Sequence, residues 1–149
     1  RSKVETIFDE NYKFRIGKGT VVKEGTDVTL FACGIMVETA LKAAEILASD
    51  GINAAVVNLS TIKPLDTALI VKMAEETKAA VTCEEHTILG GLGSAVAEVL
   101  VENCPIPMER VGVEDKFGQS GLPDELLKAY GLTAEKIAEK AKAAIARKA

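Results

Sequence analysis

The chain has 149 residues, 48% of them apolar and 27% charged, the balance of a single globular domain. A chain of that length buries roughly 68–70% of its unfolded surface, so folding needs neither a metal nor a disulfide staple. Net charge is −4, with Lys and Arg scattered and no basic stripe. That excludes nucleic acid as an expected partner, and no apolar run approaches the roughly 18 residues of a membrane span.

Aromatic residues are scarce at 4%, so Val, Ile, Leu and Ala must build the core. The three cysteines, Cys33, Cys83 and Cys104, stand apart with no CxxC pair, and there is one histidine. A structural zinc site is therefore not expected. Isolated, apolar-flanked cysteines and the lack of a visible signal peptide suit a reducing, cytoplasmic setting. The first residue is Arg1 rather than Met, so a fragment of a longer protein is expected.

In chain order, Val4 to Phe8 alternates polar and apolar residues and reads as an extended lead-in, broken at Gly17-Lys18-Gly19. Thr20 to Val22 predicts a short strand running antiparallel to its successor, after a turn at Lys23 to Asp27. Three strand–helix units follow. Val28 to Cys33 is a buried strand, turned by Gly34 into a helix whose one face carries Met36, Ala40, Ala43 and Leu47. Gly51 suits a left-handed helix cap. Ala54 to Leu59 is the next strand, and Asp66 is placed to cap the helix after Lys63-Pro64-Leu65. Ala79 to Cys83 is the third strand, followed by a glycine loop and a helix from Leu92 to Val101. Met108 to Val113 is the last strand. Pro123-Asp124-Glu125 opens a helix closed by Gly131, and Thr133 caps a final helix with Ile137, Ala141 and Ile145 on one face. Strands alternating with helices imply a mostly parallel sheet covered on both faces.

The run Glu84 to Ser94 concentrates the functional signal, because ligands gather at strand C-termini in open α/β sheets. Gly91-Leu92-Gly93 supplies two of the three glycines of a dinucleotide fingerprint, Val96 takes the third place, and no P-loop is present. Gly90, Gly91, Gly93 and Ser94 are thus either an anion-binding loop using helix amides or a close strand–helix turn and interdomain contact. The incomplete motif favours the turn. Glu84, Glu85 and His86 form either an acid–base group or a satisfied strand-end network. Cys33, just before a helix, has either a lowered thiol pKa or the role of a small apolar residue, and its apolar strand favours the latter. The segment Glu114 to Gly121, with Phe117 at its centre, suits a contact surface or lid.

Three ordered pieces resemble one family. Asp27 to Val37 is similar to the opening of the transketolase C-terminal domain. Asn58-Leu59-Ser60-Thr61-Ile62-Lys63-Pro64-Leu65-Asp66 is similar to the same domain across the thiamine-diphosphate enzymes, which include 2-oxo acid dehydrogenase β subunits and deoxyxylulose-phosphate synthase. Glu84-Glu85 with Gly90 to Ser94 resembles the synthase's loop, whereas Asp115-Lys116-Phe117-Gly118-Gln119-Ser120-Gly121 and Tyr130 to Thr133 resemble transketolase itself. The resemblance implies a three-layer α/β/α sandwich with a five-stranded mixed sheet, one strand antiparallel. It divides the chain into a lead-in over residues 1–18 and the domain proper over 19–149.

It also implies a part in transferring a two-carbon ketol unit between sugar phosphates, as in the pentose phosphate pathway. Thiamine diphosphate and Mg²⁺ would be bound by other domains and none by this chain, leaving it inert alone. Expected partners are those domains, or the N-terminal subunit of a split enzyme, and a second copy in a homodimer or higher oligomer. Arg1 would grip a substrate phosphate in the intact enzyme and be a frayed end in this fragment, and Glu85, His86 and Phe117 would face an interface. Two competing expectations stand beside this one: the same domain from a dehydrogenase β subunit or the synthase, and a free-standing anion-binding regulatory module.

Overall fold

A computed structural model describes residues 4–148; Arg1 lies outside the described residues. Ten elements follow one another: β1 (Thr20–Lys23), β2 (Val28–Ala32), α1 (Met36–Ser49), β3 (Ala54–Asn58), α2 (Thr67–Thr77), β4 (Ala80–Thr87), α3 (Leu92–Asn103), β5 (Met108–Val113), α4 (Pro123–Ala129) and α5 (Ala134–Ala146). The five strands form one sheet in the order β1-β3-β2-β4-β5, with β2 to β5 parallel and β1 antiparallel.

Alternation along the strands sorts side chains to two cores. Leu30, Val56, Val81, Cys83 and Val111 face α1 and α5. Phe31, Val57 and Ala80 face α2 and α3, meeting Ile70, Met73, Leu92 and Val96. The central strands β2 and β3 are buried on both faces, as a parallel sheet under two helical layers requires. This is the three-layer sandwich that the sequence implies.

Local chemistry sets the helix ends. Gly51, at φ +77°, lies just beyond α1, and the Ile52 amide returns to the Leu47 carbonyl, which satisfies groups the helix leaves open. The Asp66 carboxylate accepts from the Leu69 amide at 3.3 Å and caps α2. It also accepts from the Gly19 amide at 3.1 Å and from Lys18 Nζ at 3.5 Å, so the same side chain holds the end of the lead-in against the domain. Thr133 Oγ1 accepts from the Lys136 amide at the start of α5.

β1 runs antiparallel to its successor β2, as expected, and its hydrogen-bonded neighbour is β3. β2 is already paired on both sides, by β3 and β4, so the returning chain joins the free edge of β3. The third strand does not stop at Cys83. β4 runs on through Glu84, Glu85 and His86 to Thr87, with an irregularity opposite Val111 to Val113 that gives β4 two extra residues. Gly112 lies beneath that bulge, where an added Cβ would come within 2.9 Å of the His86 carbonyl oxygen.

Candidate functional site

The helix after β2 lies on one face of the sheet and the helix after β4 on the other. The C-terminal ends of these neighbouring strands therefore form the switch point where open α/β sheets hold ligands. Glu84 stands there. Even-numbered residues of β4 point toward α3, so its side chain runs under the start of that helix and is 1% exposed. One carboxyl oxygen accepts from the Leu92 amide at 2.7 Å and the other from the Gly93 amide at 2.8 Å. Two of the open donors at the positive end of α3 are thus satisfied from within.

The glycines are what admit this carboxyl group. A Cβ on Gly91 would overlap Glu84 Oε2. A Cβ on Gly93 would lie 2.9 Å from Thr82 Oγ1 and 3.1 Å from Glu84 Oε1. Gly90 has φ +76°, which turns the loop, and its amide donates to Ser94 Oγ. Thr82 Oγ1 is buried beside Gly93 without a hydrogen-bond partner among the described residues. Arg110, on β5, donates to the Ile88 carbonyl at 2.9 Å and ties the loop's outer side.

Glu85 stands apart from Glu84 and His86, which both lie toward Gly91. Glu84 is committed to the helix amides. Glu85 is exposed and lines a concavity on the α4 side, whereas His86 lies toward Gly91, its Nδ1 2.9 Å from the Thr87 carbonyl oxygen. Cys33, at the end of β2, has its thiol pKa pushed up to about 11, first by burial and then by the nearby Glu84. The thiol stays protonated at neutral pH, contrary to activation by the following helix. Burial likewise raises the Cys83 thiol. No group of three His, Cys, Asp or Glu side chains is placed to hold a metal ion among the described residues.

The loop after β5 behaves differently. Asp115 sits at φ +44°, a left-handed conformation that Asp tolerates better than most residues, and turns the chain outward. The Tyr130 hydroxyl donates to the Phe117 carbonyl at 2.8 Å, while the residue itself is 98% exposed. Behind the loop is a concavity of about 380 Å³, with Val113, Leu126, Leu127 and Tyr130 on its walls and Glu85 as its one charged residue.

Exposed apolar residues cluster on this same edge. Of the eight large ones among the described residues, seven (Val4, Phe14, Ile16, Ile62, Leu89, Phe117 and Leu122) belong to the lead-in or to loops after β3, β4 and β5. The Gly17 amide, beside Ile16, donates to Thr61 Oγ1, beside Ile62, which joins the lead-in to the β3 loop. Val101, on α3, is the exception.

Sequence reasoning found the edge and the loop but missed the cap that Glu84 makes. It spans eight and nine residues, beyond the reach of a local capping pattern. The signal available was an acidic residue directly after the run Ala79 to Cys83, on the α3-facing alternation.

The family model of the transketolase C-terminal domain matches residues 17–137. The chain is 50% identical over 142 residues to the 6-deoxy-6-sulfo-D-fructose transketolase subunit SqwH of Clostridium sp. (strain MSTE9), covering 95% of this chain and 44% of that protein. It is 44% identical over 138 residues to the 1-deoxy-D-xylulose-5-phosphate synthase of Heliobacterium modesticaldum (strain ATCC 51547 / Ice1), covering 92% of this chain and 21% of the synthase. A solved structure, a split gene transketolase described as an inactive β4 tetramer, superposes with a TM-score of 0.96 at 50% identity. It covers all of this chain and 49% of its own. The chain thus spans less than half the length of these relatives, and it belongs to the transketolase C-terminal domain family.

Proposed function

We propose that this chain is the C-terminal domain of a transketolase, in the manner of a split enzyme, and that its work is assembly rather than chemistry. The whole enzyme would transfer a two-carbon ketol unit between sugar phosphates in the cytoplasm, in the pentose phosphate pathway or a related sugar conversion. Residues 1–18 would be the lead-in from a preceding domain and residues 19–149 the domain proper.

One observation carries this reading. The edge of the sheet where a ligand would bind instead bears most of the exposed apolar side chains. Such a face favours a protein partner. The anion-ready amides of α3 do not fit thiamine diphosphate, because Glu84 takes two of them and sets a carboxyl group in the same space. We therefore assign the cofactor and Mg²⁺, which make the carbanion chemistry accessible when bound, to other parts of the enzyme. Arg1 is assigned to a substrate phosphate, since a guanidinium offers a planar two-point grip. Gly90 to Ser94, with His86, is assigned to the interface rather than to a free anion.

The reading is tested by assaying ketol transfer with the chain alone, with the cofactor-binding section alone, and with both, always with thiamine diphosphate and Mg²⁺ added. Turnover is expected only from the mixture, and replacing Ile16 and Ile62 by Glu should abolish it by blocking association. Turnover by the chain alone would overturn the proposal.

A further inference from the structure

We propose that Glu38, on α1, is a positioning residue: it pins the start of the lead-in to the domain and so aims Arg1 at the phosphate of a sugar-phosphate substrate. The inference rests on the assignment of Arg1 above and adds what holds that residue's segment in place. Among the described residues, hydrogen bonds from residues 4–19 reach the rest of the domain at two places. At the rear, the Gly17 amide donates to Thr61 Oγ1 at 2.9 Å and the Gly19 amide to Asp66 Oδ2 at 3.1 Å. At the front, the Glu5 amide donates to Glu38 Oε2 at 3.2 Å. Between them the chain turns on itself: the Asn11 and Tyr12 amides both donate back to Asp9, and the rings of Phe8 and Tyr12 stack with centroids 3.9 Å apart.

Glu38 is prepared for this contact by its own helix. Its other oxygen accepts from Lys42 Nζ at 2.6 Å, one turn further along α1. The hydrogen bond from Lys42, followed by that from the Glu5 amide, holds its carboxyl below the usual glutamate range, so the acceptor stays charged at neutral pH. Packing alone does not fix this stretch. Concavities of about 350 and 450 Å³ both border Glu5 and Ile7, one reaching Gly34, Asn58 and Ser60 and the other Val22 and Leu41. Of residues 4–8, Ile7 is the one packed against the core, and it is half-buried. The lead-in therefore bridges a gap and is pinned at discrete points. Reach shows what the front pin does. Arg1 is four residues from Glu5, at most about 14 Å of extended chain. The rear anchor at Gly17 is sixteen residues from Arg1, up to about 58 Å of chain. A shorter tether raises the effective concentration of the group it carries.

Steady-state ketol transfer by the enzyme assembled from this chain and the cofactor-binding section tests this, with a sugar phosphate and with the same sugar lacking its phosphate. Circular dichroism verifies that each variant is folded. Glu38→Ala should raise KM for the sugar phosphate about two- to tenfold, the worth of one hydrogen bond, and leave kcat and the KM for the unphosphorylated sugar unchanged. Glu38→Gln, whose amide oxygen still accepts from Glu5, should recover most of the loss. Adding Glu38→Ala to Arg1→Ala should cost nothing further, because one acts through the other. In hydrogen exchange of the 149-residue chain, the Glu5 amide should exchange faster in Glu38→Ala than in the parent. A sugar-phosphate KM that Arg1→Ala raises and Glu38→Ala leaves alone overturns the positioning role and keeps the assignment of Arg1. A KM that Arg1→Ala leaves alone overturns both. Equal rises for the two sugars, a fall in kcat, additive losses in the double variant or an unchanged Glu5 exchange rate would each overturn the positioning role.

Discussion

Two loops leave the same edge of the sheet and treat their polar and apolar groups in opposite ways. After β4, the chain turns inward on itself: Glu84 is buried, its two oxygens meet two helix amides, and Gly91 and Gly93 make room for it. After β5, the chain turns outward: Phe117 and Leu122 are left to water beside an apolar hollow. The first loop satisfies its buried carboxyl group from within, though it leaves Leu89 exposed. The second leaves both an exposed ring and an apolar hollow. A glycine-rich strand–helix turn is thus not by itself a ligand site, because what the amides face decides whether an anion can enter.

Removing the inner carboxyl group should produce the largest effect. Glu84→Ala leaves two buried amides without partners, and each unsatisfied group costs about 1–3 kcal/mol. A loss of about 3 kcal/mol in urea unfolding is expected. The variant should also gain what the parent lacks: millimolar phosphate should raise its unfolding midpoint by binding the freed amides and leave the parent unchanged. A parent stabilised as much as the variant would mean that the loop after β4 is an open anion site and that the contrast between the loops is false.

Gly93→Ala comes next. The new methyl meets Thr82 Oγ1, Arg110 Cδ and Glu84 Oε1 within 3.1 Å, on the buried side of the helix. Overpacking of this kind costs about 1–3 kcal/mol. Thermal unfolding should show the loss, and combining it with Glu84→Ala should give less than the sum, since both act on one cluster.

A smaller effect is expected at Glu109, which joins β5 to α5 through Lys140 and Arg147. The hydrogen bond from Lys140, followed by the charges of both partners, holds its carboxyl below the usual glutamate range. A carboxylate whose pKa is lowered on folding stabilises the native state above its unfolded pKa and loses that contribution as pH falls through its folded pKa. Glu109→Gln should therefore cost under about 1 kcal/mol at pH 7 and flatten the acid limb of a stability–pH curve. Equal slopes in parent and variant would show that this bridge is inert.

Most of the fold was legible because its elements are locally specified. Met36, Ala40, Ala43 and Leu47 repeat at helical spacing and are all buried. Asp66, Gly51 and Thr133 act where a cap was expected. The pairing of β1 with β3 was not legible, since edge choice depends on which strand remains unpaired once the sheet is built. The site was legible as a place and not as an arrangement. The stretch from Glu84 to Ser94 marks the switch point, but its residues alone leave open whether Glu84, Glu85 and His86 form an acid–base group or a satisfied strand-end network. On an extended strand neighbours face opposite ways, so Glu85 turns to the α4 side while Glu84 and His86 both lie toward Gly91. Arg1 lies outside the described residues, so its assignment to a phosphate rests on resemblance alone.

The smallest effect on stability is expected in the loop after β5. Phe117→Ser removes a ring that is 98% exposed and packs against almost nothing in its own chain. Substitutions of that kind stay within about 0.5 kcal/mol, so the unfolding curve of the lone chain should not move. The Tyr130 hydroxyl would still find the residue-117 carbonyl, because that bond is to backbone. A stability loss of about 2 kcal/mol, the scale of burying a whole aromatic side chain, would show that the ring folds back into its own hollow in solution. The loop after β5 would then be as self-contained as the loop after β4, and the distinction between the two would vanish.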